Sequence, residues 1–276
     1  MNLRARLMEG RLRPVTASSH AAVVTAELAL EHAVDRLMSS SAGPDAPIRE
    51  LTALVKTFER PQMLRRLVDS VKRSYPDLRV VVVDDSREPG PLQGVETITM
   101  PYDSGLSAGR NEGVRHASTK YVLVLDDDFV FYRHTQLGPA LAAMEREPEI
   151  DIMGGQVVNL PFYRRLPRSL EGPLYATTAT PRRPIGSSLA GFAVAAKVPN
   201  FFVARRDRLA LVPWDRRFRR IGHADFFTRA LGVLTTVYNP QLRCLHARTP
   251  FVEDYMAIRL DFAADFAYVA EKYGAE

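Results

Sequence analysis

The sequence predicts an α/β fold with a mostly parallel central sheet flanked by helices. Short apolar runs rich in β-branched residues, at residues 51–57, 78–83 and 121–125, are typical of buried strands. Amphipathic segments of about a dozen residues alternate with them, as expected for βαβ units. Two of the runs end in acidic clusters, at residues 84–85 and 126–128. Ligands bind outside the carboxyl ends of the strands in open α/β sheets, so we expect both clusters to face one crevice.

The first half of the chain gives the clearest pattern. Apolar residues recur at helical spacing over residues 17–38, and a Ser, Gly and Pro-rich linker follows to residue 47. We therefore divide the chain into an N-terminal helical extension with its linker, 1–47, and one α/β domain, 48–276. Within the domain, Pro61 favours a helix start. The expected elements are strand 51–57, helix 61–74, strand 78–83, strand 95–100, helix 106–117 and strand 121–125.

The second half is less regular. A Pro and Arg-rich stretch over residues 159–185 predicts a long loop, and loops of that length in compact domains are usually functional or disordered. The amphipathic pattern at the end of the chain predicts one closing helix over residues 255–273. The other expected elements are strands 150–158 and 201–204, helix 224–231, and extended segments 234–238 and 242–246.

The composition is that of an ordinary globular protein, with 276 residues, 46% hydrophobic residues and a formal net charge of +5. No apolar run approaches the roughly 18 residues that a membrane span needs. Cys244 is the single cysteine and the first residues lack the apolar core of a secretory signal, so we expect a cytoplasmic location. Arginine clusters suit an anionic glycan, a lipid-linked carrier or peripheral contact with a membrane surface. No DNA- or RNA-binding motif accompanies them, so we expect no nucleic acid.

The acidic strand ends point to metal and nucleotide chemistry. Asp126, Asp127 and Asp128 would repel one another unless a cation neutralised them. Hard carboxylate oxygens suit Mg²⁺ or Mn²⁺, which in turn suit the phosphates of a nucleotide. A division of roles follows, in which one acid binds ribose or base and another binds the metal. The alternative is a solvated acidic loop without a ligand.

Two further segments should face the same crevice. Thr57, Glu59 and Arg60 follow the first strand and carry a hydroxyl, a carboxylate and a guanidinium suited to a nucleotide. The segment Gly105-Leu-Ser-Ala-Gly-Arg-Asn111 is a turn of small residues that opens a helix, and helix N-termini attract anions. Each feature alone is a weak indication of a nucleotide site. Their order and spacing along the chain make the indication specific.

Taken in order, these segments resemble the family-2-type GT-A glycosyltransferases. Within that superfamily they are most similar to the ganglioside-type β1,4-N-acetylgalactosaminyltransferases, over roughly residues 50–250. The segments that carry the resemblance are Thr52-Ala-Leu-Val-Lys-Thr-Phe-Glu-Arg-Pro61, Val81-Val-Val-Asp-Asp-Ser86, Gly105-Leu-Ser-Ala-Gly-Arg-Asn111, Val124-Leu-Asp-Asp-Asp-Phe129, Asn200-Phe-Phe-Val-Ala-Arg205 and His223-Ala-Asp-Phe-Phe227.

The resemblance implies a GT-A (Rossmann-like) nucleotide-sugar-binding fold and a metal-dependent, inverting reaction. A sugar would pass from a UDP-sugar to a hydroxyl of a glycan, lipid-linked or other glycoconjugate acceptor. The similarity to N-acetylgalactosaminyltransferases favours an N-acetylhexosamine as that sugar. Asp126 and Asp128 would be the two acids of the Asp-x-Asp motif, with Asp128 the main direct ligand of Mn²⁺ or Mg²⁺ and His246 completing the metal site. The implied donor-binding residues are Thr57, Glu59, Arg60, Asp84, Asp85, Arg110, Asn111, Asp126 and Asp127.

The general base and the acceptor site are less defined. Relatives carry an acidic pair at the start of a helix, whereas here the string is Gly222-His-Ala-Asp-Phe-Phe-Thr-Arg229. Counting back from Arg229, Asp225 falls on a later acid and His223 falls where the usual base stands. Asp225 is the first choice as catalytic base and His223 its rival, because imidazole titrates near neutrality. Trp214, the only tryptophan, suits either stacking on an acceptor sugar or core packing.

Three other functions stay open at this stage. Residues 126–130 also fit the Asp-x-Asp-x-Val pattern of haloacid-dehalogenase-type phosphatases, although two strand-helix units precede it here. A sugar nucleotidyltransferase would share the sheet and the metal, but residues 56–60 contain no glycine for a phosphate loop. A non-catalytic nucleotide-sugar-binding protein is the third alternative, and the intact acids at both strand ends argue against it.

Overall fold

The computed structural model describes residues 13–38, 46–90, 92–165 and 169–274. Within these residues the chain forms an α/β fold, as predicted. The helices are α1 (Arg13–Met38), α2 (Pro61–Ser74), α3 (Leu106–His116), α4 (Leu137–Arg146), α5 (Arg206–Leu209), α6 (Gly222–Ala230), α7 (Glu253–Arg259) and α8 (Ala263–Tyr273). The strands are β1 (Leu51–Thr57), β2 (Arg79–Asp84), β3 (Glu96–Thr99), β4 (Tyr121–Asp126), β5 (Phe129–Val130), β6 (Ile152–Leu160), β7 (Arg164–Arg165), β8 (Ser188–Leu189), β9 (Phe192–Val194), β10 (Phe202–Arg205) and β11 (Thr236–Ala247).

The main path of the sheet runs in the order β3-β2-β1-β4-β10-β6-β11-β9-β8. Its first four strands are parallel, β10 is antiparallel to both of its neighbours, and β6 and β11 are again parallel. Thr57 pairs with Asp84 on one side of β1, and Lys56 pairs with Asp126 on the other. The two acidic clusters therefore end at the same edge of the sheet, as predicted.

Both faces of the sheet are buried, which explains why its strands are continuous apolar runs. On one face Val55 and Leu125 belong to the same core cluster as Leu67 of α2 and Leu141 of α4. On the other face the neighbouring strand residues pack with Phe226 and Phe227 of α6. Burial on both faces fixes the strands rigidly beneath the acidic edge.

The glycines of the segment 105–113 allow α3 to lie close to the sheet. Gly105 has a φ of +95°, and a Cβ there would come within 2.9 Å of the Arg219 backbone. Gly109 lies directly against the side chain of Lys56, where a Cβ would overlap its methylenes. The positive φ at Gly105 favours glycine, and position 109 has no room for a side chain. The glycines of this segment are therefore needed for packing as well as for the turn.

The predicted N-terminal helix is present as α1 and packs on the domain. Val24 and Leu28 lie in a cluster with Val130 and Leu245, and Glu31 pairs with Arg133. Residues 1–12 of the predicted extension and 39–45 of its linker lie outside the described residues, and Ala46–Glu50 forms a short 3-10 helix. None of the helices in the described part of the chain has the length and apolarity needed to cross a membrane.

The prediction of one closing helix over residues 255–273 is wrong, because the segment forms α7 and α8 with a bend between them. The Asp261 amide donates to the Ile258 carbonyl at 3.2 Å, a tight turn that ends α7. Asp265 in the first turn of α8 then accepts the backbone amides of residues 219–221 at 2.7–3.0 Å. These long-range bonds direct α8 toward α6 and leave α7 over the acidic edge.

The second half otherwise follows the predicted pattern with shifted limits. Segments 234–238 and 242–246 are parts of one strand, β11, whose register with β6 shifts between Asn239 and Arg243. The first two residues of the predicted loop 159–185 belong to β6, and the loop also contains the two-residue strand β7. Residues 166–168 of that loop lie outside the described residues.

Candidate functional site

A cavity of about 290 Å³ opens at the carboxyl edge of β1, β2 and β4. Its opposite wall is formed by residues 248–262, which include α7. Seven residues predicted from the sequence line this cavity, so the structure brings the core of the predicted site together. They are Thr57, Arg60, Asp85, Asp126, Asp127, Asp128 and His246.

Arg60 bridges two of the three consecutive acids. Its guanidinium pairs with Asp127 and donates to Asp128 Oδ2 at 2.8 Å. Thr57 Oγ1 donates to the second oxygen of Asp127 at 2.7 Å. Burial raises the pKa of Asp127 to about 6, although the Arg60 charge opposes the shift. Burial opposes ionisation of Asp128 too, but the neighbouring His246 and Arg60 hold the pKa of Asp128 well below its usual range.

Asp128 lies next to His246, and both side chains line the cavity. Asp128 Oδ1 lies 3.2 Å from His246 Nε2. The other ring nitrogen, Nδ1, lies 2.9 Å from Asn159 Oδ1, and the Asn159 amide is oriented by its Nδ2 donating to the Arg164 carbonyl at 3.4 Å. We therefore assign the proton of a neutral ring to Nδ1. In that neutral form the lone pair of Nε2 faces Asp128 Oδ1, whereas a protonated ring would pair with this carboxylate and favour its charged form.

With the ring neutral, the lone pairs of Nε2 and of the carboxylate oxygen face each other, and this arrangement suits a metal ion between them. Adjacent ligands of a metal with bonds of about 2.1 Å are separated by about 3.0 Å, close to the distance between these two atoms. Histidine ligands of metals usually donate their other ring N–H to an oxygen acceptor, and Asn159 Oδ1 supplies such an oxygen here. Across the described residues, no group of three or more His, Cys, Asp and Glu side chains is placed to hold a metal. The residues thus fit an ion that takes its other ligands from phosphate oxygens and water.

Asp126 is held in place by hydrogen bonds from two other side chains. Arg110 donates to Asp126 Oδ1 at 2.9 Å, and Asn200 Nδ2 approaches Oδ2 at 3.2 Å. The Arg110 guanidinium is buried, and this burial lowers its pKa even with Asp126 beside it. Arg110 does not line the cavity, so it positions Asp126 rather than contacting a ligand there.

Lys56 is a member of the site that the sequence argument did not single out. Its Nζ pairs with Asp85 Oδ1 and donates to the Thr57 carbonyl at 2.7 Å. Asp85 Oδ2 accepts the amide of Gly105 at 2.9 Å, which ties the start of α3 to the end of β2. Burial lowers the pKa of Lys56, although Asp85 favours its charged form. A lysine within a buried apolar strand is unusual, and that was the available sequence signal.

Three predicted donor-binding residues stabilise loops and do not line the cavity. Asp84 Oδ1 accepts the backbone amide of Ser86 at 2.9 Å and its hydroxyl at 2.5 Å. Glu59 has a positive φ of 54° and accepts the Arg87 amide at 2.7 Å. Asn111 exchanges hydrogen bonds with the Trp214 backbone. Each carboxylate or amide is occupied by backbone groups next to the crevice.

Trp214 lies in the core, where its side chain packs between α3 and α6. It is 3% exposed and stacks on Phe226 with ring centroids 4.5 Å apart. Its backbone is fixed by Asn111, and its ring does not line the cavity. Of the two roles that the sequence left open for Trp214, this packing corresponds to the core role.

The two candidate bases also lie away from the cavity lining. Asp225 is 0% exposed and accepts from Arg229 Nε at 2.9 Å, Lys272 Nζ at 2.6 Å and the Tyr273 hydroxyl at 2.7 Å. His223 packs against Phe227 with centroids 5.1 Å apart. Asp225 therefore anchors α8 to α6 in this conformation.

The cavity wall contains further residues that sequence reasoning missed. Tyr255 of α7 lies over the Arg60 guanidinium at 4.2 Å from its ring centroid. Asp103 pairs with Arg219 and Arg220 at 2.6 and 2.7 Å. These contacts join parts of the chain more than 100 residues apart, so no local pattern could have revealed them.

Comparison with known proteins identifies the family. The model of Glycosyl transferase family 2 matches residues 52–209, which include the three acids, Thr57 and Arg60. The chain belongs to glycosyl transferase family 2. The resemblance stated from the sequence motifs is thereby confirmed.

Several relatives share more specific similarity with this family 2 chain. Beta-1,4 N-acetylgalactosaminyltransferase 1 of Rattus norvegicus is 37% identical over 213 residues, covering 72% of this chain and 40% of the relative. The Homo sapiens protein of the same name is 39% identical, covering 67% of this chain and 36% of the relative. Beta-1,4 N-acetylgalactosaminyltransferase 2 of Mus musculus is 36% identical, covering 75% and 42%. The chain thus spans less than half the length of these relatives.

Solved structures confirm the GT-A fold. The crystal structure of S. aureus TarS 1–349 superposes with a TM-score of 0.55 at 15% identity, covering 71% of this chain and 60% of that chain. The same TarS fragment in complex with UDP gives a TM-score of 0.54 at 16% identity, covering 71% and 59%. At these identities the similarity establishes the fold alone.

Proposed function

We propose that this family 2 chain is an inverting, metal-dependent glycosyltransferase that moves a sugar from a UDP-sugar to a hydroxyl of a glycan or glycoconjugate. The observation that carries the proposal is the pair formed by Asp128 Oδ1 and His246 Nε2, 3.2 Å apart in a cavity lined by acids and arginines. That pair suits a divalent cation, and the cavity suits the diphosphate that such a cation would bind.

The comparisons support UDP-N-acetylhexosamine as the donor. The relatives at 36–39% identity are named as N-acetylgalactosaminyltransferases, and TarS has been crystallised with UDP and with UDP-GlcNAc. We propose that the uridine end lies near Asp85 and Lys56, where β2 and β1 end. The diphosphate would then extend across the cavity toward Asp128.

Asp128 and His246 are the residues that would hold Mn²⁺ or Mg²⁺, and Asp126 lies beside them. When bound, the ion would neutralise charge on the departing diphosphate. The protein's own contribution is to preorganise these groups. Arg60 fixes Asp128 from one side, Asn159 orients the His246 ring, and Arg110 fixes Asp126.

The base remains a proposal with two candidates. An inverting reaction needs a group that takes the proton of the acceptor hydroxyl. Asp225 can do so only after Lys272 and Tyr273 release its Oδ1, which a movement of α8 would accomplish, while Arg229 keeps Oδ2. His223 precedes it by half a turn on the same helix.

The acceptor and the location also stay predictions. Arg182 and Arg183, part of the basic surface, pair with Asp151 and Glu149. These pairs neutralise part of the charge that favoured an anionic acceptor or peripheral membrane contact. We retain the hydroxyl of a glycan, lipid-linked or other glycoconjugate acceptor, and a cytoplasmic location, as proposals.

A donor screen with product analysis tests the proposal. We expect the chain to hydrolyse or transfer from UDP-N-acetylhexosamine in the presence of Mn²⁺ and to be inactive in EDTA. Because the donor is α-linked, proton NMR during early turnover should show a β-configured product. The proposal is contradicted if no UDP-sugar turns over with Mn²⁺, or if the first product is α-configured.

A further inference from the structure

The cations that line the cavity fall into two groups. In the first group, each side chain already has a carboxylate partner. Lys56 pairs with Asp85, and Arg60 pairs with Asp127 and Asp128. Arg219 and Arg220 share Asp103. The charges of this first group are neutralised within the protein.

Arg248 and Arg259 form the second group. Both line the cavity, yet within the described ranges neither guanidinium has a carboxylate within ion-pair distance. Both are exposed at the cavity mouth, and Arg259 lies over the Phe262 ring at 5.7 Å from its centroid. Their charges are therefore available to an anion that enters the cavity.

Their positions place that anion next to the Asp128–His246 pair. Arg248 follows His246 by two residues, immediately after β11 ends. Arg259 lies one helical turn after Tyr255 on α7, and Tyr255 stacks on Arg60, which pairs with Asp128. The two arginines thus border the acidic end of the cavity from its opposite wall.

We infer that Arg248 and Arg259 bind the diphosphate of the donor and stabilise it as the leaving group. This inference rests on the proposed function and adds a role for the wall formed by residues 248–262. As the glycosidic bond breaks, its electron pair and a full negative charge move to the β-phosphate oxygen. Guanidinium groups suit phosphate oxygens, and interactions that strengthen as this charge develops increase the rate.

A comparison of UDP, UMP and uridine tests this role directly. We expect Arg248→Gln and Arg259→Gln each to weaken UDP binding about tenfold, as is typical for a hydrogen bond to a charged group. The affinity for UMP should fall by less than about threefold, and the affinity for uridine should not change. Titration calorimetry, with Mn²⁺ and again in EDTA, measures the three affinities.

Arg217→Gln is the matched control, because Arg217 is an exposed arginine paired with Glu271 outside the cavity. An unchanged ratio of UDP to UMP affinity in the double variant would overturn the inference. So would an equal loss for all three ligands, because it would show collapse of the cavity. If the parent protein itself binds no UDP, the proposed function fails, whereas normal UDP binding in both parent and variants refutes only the arginine pair.

Discussion

Asp128→Asn is expected to lower turnover of a UDP-sugar by about a thousandfold or more. The substitution keeps the size of the side chain but removes the charge from the oxygen that faces His246 Nε2. A bound divalent ion supplies several kcal/mol of charge stabilisation, and about 4 kcal/mol corresponds to a factor of a thousand in rate. Steady-state UDP release over a range of Mn²⁺ concentrations measures the effect.

Asp127→Asn is the matched control for this prediction. Asp127 is the adjacent acid and is equally enclosed, but its oxygens bind Thr57 and Arg60. We expect that variant to keep its response to Mn²⁺ and its turnover to fall by about tenfold or less, since Arg60 keeps Asp128 as a carboxylate partner and the new amide oxygen can still accept from Thr57. Equal losses in the two variants, or full activity in Asp128→Asn, would refute the assignment of the metal ligand.

Asp225→Asn is expected to destabilise the fold by about 3 kcal/mol, whatever its role in catalysis. The carboxylate is fully buried and is the shared partner of Arg229, Lys272 and Tyr273. Removing one partner of a buried ion pair leaves an uncompensated charge, which typically costs about 3–5 kcal/mol. Urea unfolding of the parent and the variant measures this difference in the free energy of unfolding.

Lys272→Met separates the structural role of Asp225 from a catalytic one. This variant weakens the same anchor between α6 and α8 but leaves the carboxylate intact and partly freed. If Asp225 is the base, turnover at saturating donor should fall in Asp225→Asn and persist in Lys272→Met. If both variants turn over donor equally while His223→Ala does not, the base is His223.

The elements that carry the site could be predicted because their determinants are local. β1, β2 and β4 are apolar runs with acids at their ends, and the helix start at Pro61 is fixed by one residue. Parallel pairing then forces Asp85 and Asp128 to the same edge. Position along a strand was enough to bring Asp85 and the three acids 126–128 into one cavity.

What the sequence did not reveal depends on distant contacts. The bend between α7 and α8 is set by Asp265 binding backbone amides about 45 residues earlier in the chain. Asn111 binds the Trp214 backbone across 103 residues. The sequence could not show that Asp225 is engaged in hydrogen bonds, because its partners Lys272 and Tyr273 come from the end of the chain. Such pairings are set by tertiary packing, which local sequence patterns do not predict.

The most direct measurement is a crystal structure of the protein with UDP and Mn²⁺, with the metal located by anomalous scattering. The account predicts one strong anomalous peak within about 2.3 Å of both Asp128 Oδ1 and His246 Nε2, bridged to the diphosphate. UDP bound in the cavity with no anomalous peak at that pair, or with the metal elsewhere, would contradict it.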